Sequence, residues 1–264
     1  MSRTRQITID VTEKFPLLAS APIVEAVVDI RARPTGEWSE EFLRSRLATK
    51  LPNYPDVRSQ REVHIHAKVI TAGEAEHLHR DKWRGVRFTS ADALHVAQFN
   101  RDGFVFSRLT PYKNWDQFCG EALRLWALHA ELAKPSEIQR LGLRFINRIP
   151  MPSDDYRPSD IWKAPPTAPK DLKLPIADYL RQDTFQVPGH PYIVRRTQAI
   201  QPPTPKSPDE VGLILDIDVS STRPCQSSTE KLRTRLIEMR WLKNKMFFAS
   251  ITPRAIKRFQ EGIG

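Results

Sequence analysis

Two aspartates, Asp216 and Asp218, stand at alternate positions of an apolar segment and are candidates for chemistry. Side chains two residues apart project from the same face of a β-strand, so the two carboxylates could hold Mg²⁺ or exchange protons with a substrate. They could equally form ion pairs with Arg195 or Arg196, which belong to the preceding predicted strand, residues 192–200. The ion-pair interpretation needs only a hairpin, and it is the one we favour.

A row of three arginines, Arg140, Arg144 and Arg148, recurs at every fourth position of the predicted strand 138–149. These side chains share one side of the strand, because side chains alternate between its two faces. The other side is mostly apolar, although Asn147 interrupts it. The arginine row therefore faces solvent, an acidic neighbour or a ligand.

Two acidic residues repeat the spacing of this row. Glu25 and Asp29 lie four residues apart on one face of the predicted strand 23–32, as do Arg144 and Arg148 on theirs. Four residues of strand span about 13 Å, so neighbouring strands could place the acids and arginines face to face. We predict that these four residues form structural ion pairs.

Histidines could provide a metal site, because His64 and His66 flank one residue of a predicted strand and share a face. His77 and His79 repeat this spacing in a polar segment, 74–82, that we predict to be a loop. A zinc site needs further ligands, and the spacing places none. We therefore predict the polar face of an outer strand, with no metal.

Basic residues are concentrated at the end of the chain. Residues 227–264 contain nine Lys and Arg against three acids. Such a surface can attract phosphate backbones, although a solvated helix face is the simpler interpretation. The candidates for binding an anion or nucleic acid are Lys231, Arg235, Arg254, Lys257 and Arg258.

Catalytic signatures are missing from the sequence. No nucleophile elbow, Cys–His pattern, Walker loop or dinucleotide-binding loop occurs, and the chain has only ten glycines. We assign no catalytic residue and predict no cofactor.

Composition sets the broad class of protein. The chain has 264 residues, 40% of them hydrophobic, and a net charge of +10, which favours an anionic partner. Two cysteines make no disulfide framework, and the polar N-terminus is followed by no long apolar run. We predict a cytoplasmic protein without a membrane span.

The elements that position these residues centre on one helix followed by a strand. Asn114 is the predicted N-cap, with Gln117 as its capping-box partner, and Pro135 ends the helix before strand 138–149. The order through residue 150 is β-α-β-β-β-β-α-β. We predict an α+β fold, with a mainly antiparallel sheet and amphipathic helices on one face.

Prolines divide the chain. Residues 151–175 are rich in Pro and predict a stiff connector between two associated halves, 16–150 and 176–264. In the second half, 176–182 is predicted as a short helix and 228–243 as an amphipathic helix, with a ββ-α-α order overall.

Four short stretches resemble the signatures of a sporadically distributed bacterial family that has a family number and no settled function. They are Ala21–Val27, Arg144–Ile149, Leu215–Asp218 and Phe247–Thr252. The resemblance covers nearly the whole chain. It implies a bacterial cytosolic protein carried on mobile elements, and it transfers no catalytic residue.

These observations lead to two functional hypotheses. The first is a non-catalytic binding protein with an anionic partner, a protein or a nucleic acid, encoded in a mobile defence or toxin–antitoxin-like locus; the chain could also form a homo-oligomer. The second is an enzyme acting on a phosphorylated or nucleic-acid substrate through Asp216, Asp218 and the arginine row. An enzyme should gather these groups in one concave pocket.

Overall fold

The computed structural model describes residues 6–71, 74–154, 157–169, 171, 172, 174, 176–205 and 207–262, with the backbone alone for 63–81. The strands are β1 Ile23–Arg31, β2 Asp56–Thr71, β3 Glu74–Thr89, β4 His95–Asn100, β5 Gly103–Leu109, β6 Arg140–Pro152, β7 Tyr179–Gln186, β8 Tyr192–Gln201 and β9 Glu210–Ser221. The helices are α1 Glu40–Leu47, α2 Trp115–Ala133, α3 Pro158–Ile161, α4 Thr229–Ser250 and α5 Pro253–Glu261.

The strands form one nine-stranded sheet in the order β2-β3-β4-β5-β1-β6-β9-β8-β7. Every neighbouring pair is antiparallel. The α+β class predicted from the sequence is confirmed. β1 and β6 lie at the centre, so the two strands that carry the predicted ion pairs are neighbours.

The two predicted halves share this sheet. β6 pairs with β1 of the first half along one edge and with β9 of the second half along the other. The β6–β9 ladder runs from Gly142↔Ser220 to Pro152↔Glu210, so backbone hydrogen bonds join the halves along almost the whole of β6. The start of the Pro-rich connector, Met151 and Pro152, belongs to this strand.

The core lies between the sheet and the helices, which pack on one of its faces. Alternate side chains of the central strands point towards α2 and α4 and are buried: Ala26, Val28, Ile30, Leu143, Phe145, Leu215 and Ile217. The predicted cap of α2 is present, because the Asn114 side chain accepts a hydrogen bond of 2.9 Å from the Gln117 backbone N–H.

Three predicted elements are wrong. The polar segment 74–82 belongs to β3, where it pairs with β2, and 176–182 overlaps strand β7 at the sheet edge rather than a helix. In both segments strand pairing overrides local sequence preference. Helix α4 continues to Ser250 rather than ending near residue 243, because Phe247 and Ser250 extend its buried stripe.

Candidate functional site

The arginine row lies on the open face, which we define as the side of the sheet facing away from the helices. There each arginine meets a carboxylate: Arg140 donates to Asp29 at 2.8 Å, and Arg144 donates to Asp216 at 2.6 Å. Arg148 Nη1 lies 2.7 Å from Glu210. The row therefore forms cross-strand ion pairs over β1, β6 and β9.

We predicted that Arg144 and Arg148 pair with Glu25 and Asp29. The structure gives both arginines other partners. The register places Arg144 opposite Val27. The predicted pairing needs Arg144 opposite Asp29, which lies two residues further along β1. Arg144 instead turns to the opposite neighbour, β9, where Asp216 lies diagonally across. Its pKa is raised, first by the hydrogen bond to Asp216 and more weakly by the charge of Glu25.

Asp216 and Asp218 are engaged by several arginines. Asp218 lies 3.5 Å from Arg140 and 3.4 Å from Arg195, as the hairpin interpretation required for Arg195. Arg196 faces the other way and pairs with Asp183. Burial raises the pKa of Asp218 despite these cations. Metal or acid–base chemistry at the two aspartates would first have to break these ion pairs.

Two glycines let arginines lie flat on the open face. A Cβ at Gly142 would stand 3.2 Å from Nη1 of Arg140, and one at Gly212 would stand 2.8 Å from Nε of Arg148. A side chain at either position would push the guanidinium away from the sheet. This arrangement favours a structural role for the row.

The five basic candidates near the C-terminus occupy two separate places. Lys231 and Arg235 lie near the start of α4, whereas Arg254, Lys257 and Arg258 lie on α5, beyond its end. Lys231 stands nineteen residues before Ser250, the last residue of α4, which corresponds to about 28 Å along the helix axis. The five basic candidates therefore do not form one continuous surface.

Residues of the α5 group also have contacts of their own. Arg254 lies 3.3 Å from Asp160, and Lys257 lies 3.7 Å from Glu261. These acids offset part of the basic charge that the sequence concentrates there.

The candidate histidine pair lies on strand β2. His64 and His66 belong to β2, but their side chains lie outside the described residues, as do those of His77 and His79. Among the side chains that are described, no group of three or more His, Cys, Asp or Glu is arranged to hold a metal ion.

A cavity of about 610 Å³ lies on the helix side of the sheet. It is half open and is lined by part of the N-terminal arm, which we define as residues 6–22, by residues 112–115 before and at the start of α2, and by residues 237–248 of α4. Asn147 of β6 contributes to its wall. We call this space the arm cavity.

The arm is held against α4 by polar and aromatic contacts. Glu13 accepts a hydrogen bond of 2.8 Å from the indole N–H of Trp241 and one of 2.6 Å from Lys245. Phe15 stacks on Phe248 with ring centroids 5.5 Å apart. These contacts make the arm one wall of the cavity.

Two cations that face the arm cavity, Lys243 and Arg240, make no salt bridge with a described carboxylate. Lys243 Nζ lies 4.3 Å from the centroid of the Phe145 ring, and Arg240 Cζ lies 5.2 Å from that of Trp115. Neither cation forms a salt bridge with an acid in the part of the chain that the structure describes, in contrast to Lys245 with Glu13. Cations over aromatic faces are attracted by the ring quadrupole, but their charge is not neutralised.

The electrostatics of Lys243 follow from this position. Burial, with the like charge of Arg240 as a smaller cause, lowers the pKa of the Lys243 amine to about 7. Ordinary lysines titrate near pH 10.4, so this amine is partly neutral under conditions where other lysines are charged. An anion that entered the cavity would favour its protonated form.

Asn147 and Tyr112 are among the polar side chains on the cavity wall. Asn147 is buried and donates a hydrogen bond of 2.8 Å to the carbonyl of Leu215. Burial raises the pKa of Tyr112, which therefore stays a neutral hydroxyl. Neither side chain supplies a negative charge to the cavity.

The sequence contained a signal for Lys243 that pattern reasoning missed. Leu232, Leu236 and Met239 form the buried stripe of α4, and Lys243 stands at the next position of that stripe. Lys243 is one of the nine basic residues of 227–264, but its helical spacing groups it with these apolar residues, and it is half-buried. Asn147 likewise interrupts the apolar side of β6 where the strand meets the cavity.

No protein-family model, curated protein or solved structure matches the chain. Within the described residues, no helix is both long and apolar enough to cross a membrane.

Proposed function

We propose that this protein binds a small amphipathic anion, a carboxylate or phosphate on an apolar body, in the arm cavity. One observation carries the proposal: Arg240 and Lys243, three residues apart on one face of α4, both face the cavity and neither is paired with a described carboxylate. Lys243 is half-buried and Arg240 is exposed, so a half-buried cation without a counter-ion faces the cavity, and an anionic ligand would supply the missing charge.

The rest of the cavity suits the apolar part of such a ligand. Trp115, Phe247 and Phe248 contribute aromatic surface to its wall. A volume of about 610 Å³ falls in the range of small-molecule sites, which combine apolar walls with a few placed polar groups. The polar groups on the wall include the two cations, the amide of Asn147, the hydroxyl of Tyr112 and the carboxylate of Glu13, which is already paired with Trp241 and Lys245.

The wider role remains the one expected from the sequence, a non-catalytic binding protein. We propose that it works in the bacterial cytoplasm as an accessory component of a mobile defence or toxin–antitoxin-like locus. This part rests on the resemblance to the sporadically distributed family. The enzymatic alternative has less support, because Asp216 and Asp218 are held in ion pairs away from the arm cavity.

Fluorescence titration with anilinonaphthalene sulfonate, an aromatic anion, tests the binding site. We expect saturable binding that octanoate or phenyl phosphate displaces. Arg240→Gln and Lys243→Met should each weaken it by about tenfold or more, since a charge-assisted hydrogen bond contributes about 1.5–3 kcal/mol. Lys231→Met, at the far end of α4, is the matched control and should bind normally. Equal affinity of all four proteins would contradict the proposal.

A further inference from the structure

We propose that Lys243 is a nucleophilic amine that forms an imine with an aldehyde or ketone whose anionic group is held by Arg240. The identity of the anionic group rests on the proposed function, whereas the reactivity of the amine rests on the surroundings of Lys243 alone. Those surroundings are the face of Phe145, the neighbouring guanidinium and a cavity that admits a ligand.

Loss of hydration and the like charge of Arg240 favour the neutral amine, and they outweigh the attraction of the ammonium to the face of Phe145. A lysine becomes nucleophilic when it is desolvated or placed beside another cation, because both conditions disfavour the ammonium. Lys243 meets both conditions, and a pKa of about 7 leaves a large fraction of neutral amine at neutral pH. A salt bridge would hold the proton on nitrogen, and no described carboxylate makes one with Lys243.

The positions of the two cations restrict the ligand. Side chains three residues apart on a helix have Cβ atoms about 5–6 Å from each other. A single ligand can therefore contact both side chains if its anionic group reaches Arg240 while its carbonyl carbon meets Lys243. A 2-oxo acid, or another carbonyl compound with an anion a few bonds away, fits this requirement.

The reaction balances without an oxidant or reductant. The Lys243 nitrogen lone pair forms a C–N bond with the carbonyl carbon, and a proton passes from nitrogen to the carbonyl oxygen to give a carbinolamine. The C–O bond then breaks, and the oxygen leaves as water, taking that proton and the proton that remained on nitrogen. The product is an imine, and hydrolysis reverses each step.

Other lysines near the cavity provide internal comparisons. Lys14 and Lys113 lie on its rim and are exposed, and Lys245 is paired with Glu13. Each carries the same amine in a different setting. Preferential reaction at Lys243 would therefore result from its surroundings and not from the general reactivity of lysine.

Reductive trapping of the full-length chain tests the inference. Glyoxylate, which carries an aldehyde and a carboxylate, and formaldehyde, which carries no charge, would each be added with cyanoborohydride before peptide mapping by mass spectrometry. We expect both aldehydes to modify Lys243 at neutral pH at least tenfold faster than Lys14, Lys113 or Lys245. The rate of modification at Lys243 should level off above about pH 7, whereas the rate at Lys14 and Lys113 should continue to rise with pH.

The two aldehydes separate this inference from the proposed function. Arg240→Gln should slow modification of Lys243 by glyoxylate and leave formaldehyde unaffected. If neither aldehyde prefers Lys243 in the native chain, the inference is wrong, even if anilinonaphthalene sulfonate still binds. If formaldehyde prefers Lys243 but no anion binds, the amine is reactive and the proposed anion site is wrong. The native-chain measurement does not depend on any variant folding.

Discussion

Lys243 stands over the face of Phe145, with Nζ 4.3 Å from the ring centroid, at a helix position that continues the buried stripe of Leu236 and Met239. An apolar residue at this position would pack against the same ring without the cost of desolvating a charge. Groups that lower stability and line a cavity are typical of functional sites, because activity and stability compete there. This conflict between packing and charge leads to the first two predictions.

Lys243→Met should stabilise the protein at neutral pH, by about 2 kcal/mol, because it removes a buried charge and keeps the side-chain volume. The lowered pKa means that the unfolded chain holds this proton more tightly between about pH 7 and about pH 10. The wild-type protein should therefore lose stability relative to the variant as the pH falls through that window, and no further below it. Urea unfolding at several pH values measures both effects. Lys245→Met, which removes an ion pair with Glu13, should not stabilise.

Anion affinity should depend on the protonation of Lys243. Since an anion prefers the charged amine, the dissociation constant for anilinonaphthalene sulfonate should be smallest below about pH 7 and should rise as the pH increases above it. The rise should approach tenfold per pH unit if the ammonium is required. Lys243→Arg keeps the charge at all these pH values and should remove the dependence. A pH-independent affinity in the wild-type protein would contradict the role assigned to Lys243.

The sequence was sufficient to predict the faces of the main elements. Alternation in β1 and β9, which Val27 and Ile214 interrupt with apolar residues on the open side, and the helical spacing in α2 identify buried and open sides, because each period follows from backbone geometry. The charged residues of β1 and β6 also suggested that these strands are neighbours, which they are, although Arg144 and Arg148 pair with β9 instead. These features depend on local chemistry and on a two-residue or helical period.

Register and long-range packing could not be predicted in this way. Nothing in the spacing of Glu25 and Arg144 indicates the two-residue offset that sends Arg144 to Asp216, because register is set by the packing of the whole face. The arm cavity joins residues more than two hundred positions apart, such as Glu13 and Trp241. The role of Lys243 therefore depends on contacts between residues that are far apart in the sequence.

The ion pair between Arg144 and Asp216 can be separated from the predicted pairing by double-mutant cycles. Arg144→Ala combined with Asp216→Ala should give a coupling of about 0.5–1 kcal/mol, because the arginine is half exposed and bidentate. Arg144→Ala with Glu25→Ala should be nearly additive. Urea unfolding of both cycles measures the difference. A larger coupling to Glu25 would show that the register in solution is different.

Releasing the arm should open the cavity. Glu13→Gln removes the charge that holds Lys245 and weakens the contact to Trp241, so we expect faster proteolysis within residues 6–22 and a change in Trp fluorescence. Anion affinity should fall, because one wall of the cavity becomes mobile. Asp10→Asn lies on the same arm, where its carboxylate contacts Thr12, and serves as the control. Equal proteolysis rates for both variants would mean that Glu13 does not secure the arm.

Acid should destabilise the fold through His129, which is fully buried among the rings of Trp38, Phe99 and Trp126. Burial lowers the pKa of its imidazole to about 3, whereas the unfolded chain binds the proton near pH 6.5. His129 therefore leaves stability intact above about pH 6.5, and stability falls as the pH drops towards 3. The loss at pH 5 amounts to about 2 kcal/mol by proton linkage.

His129→Phe isolates this contribution. Carboxylates whose pKa values the fold lowers, such as Glu40 and Asp183, destabilise both proteins equally in acid. The difference between wild type and variant therefore reports the imidazole. Guanidinium unfolding at about pH 8 and about pH 5 should show the wild type losing about 2 kcal/mol more than the variant. Parallel pH profiles for the two proteins would mean that the imidazole finds a proton-accepting partner when it is charged.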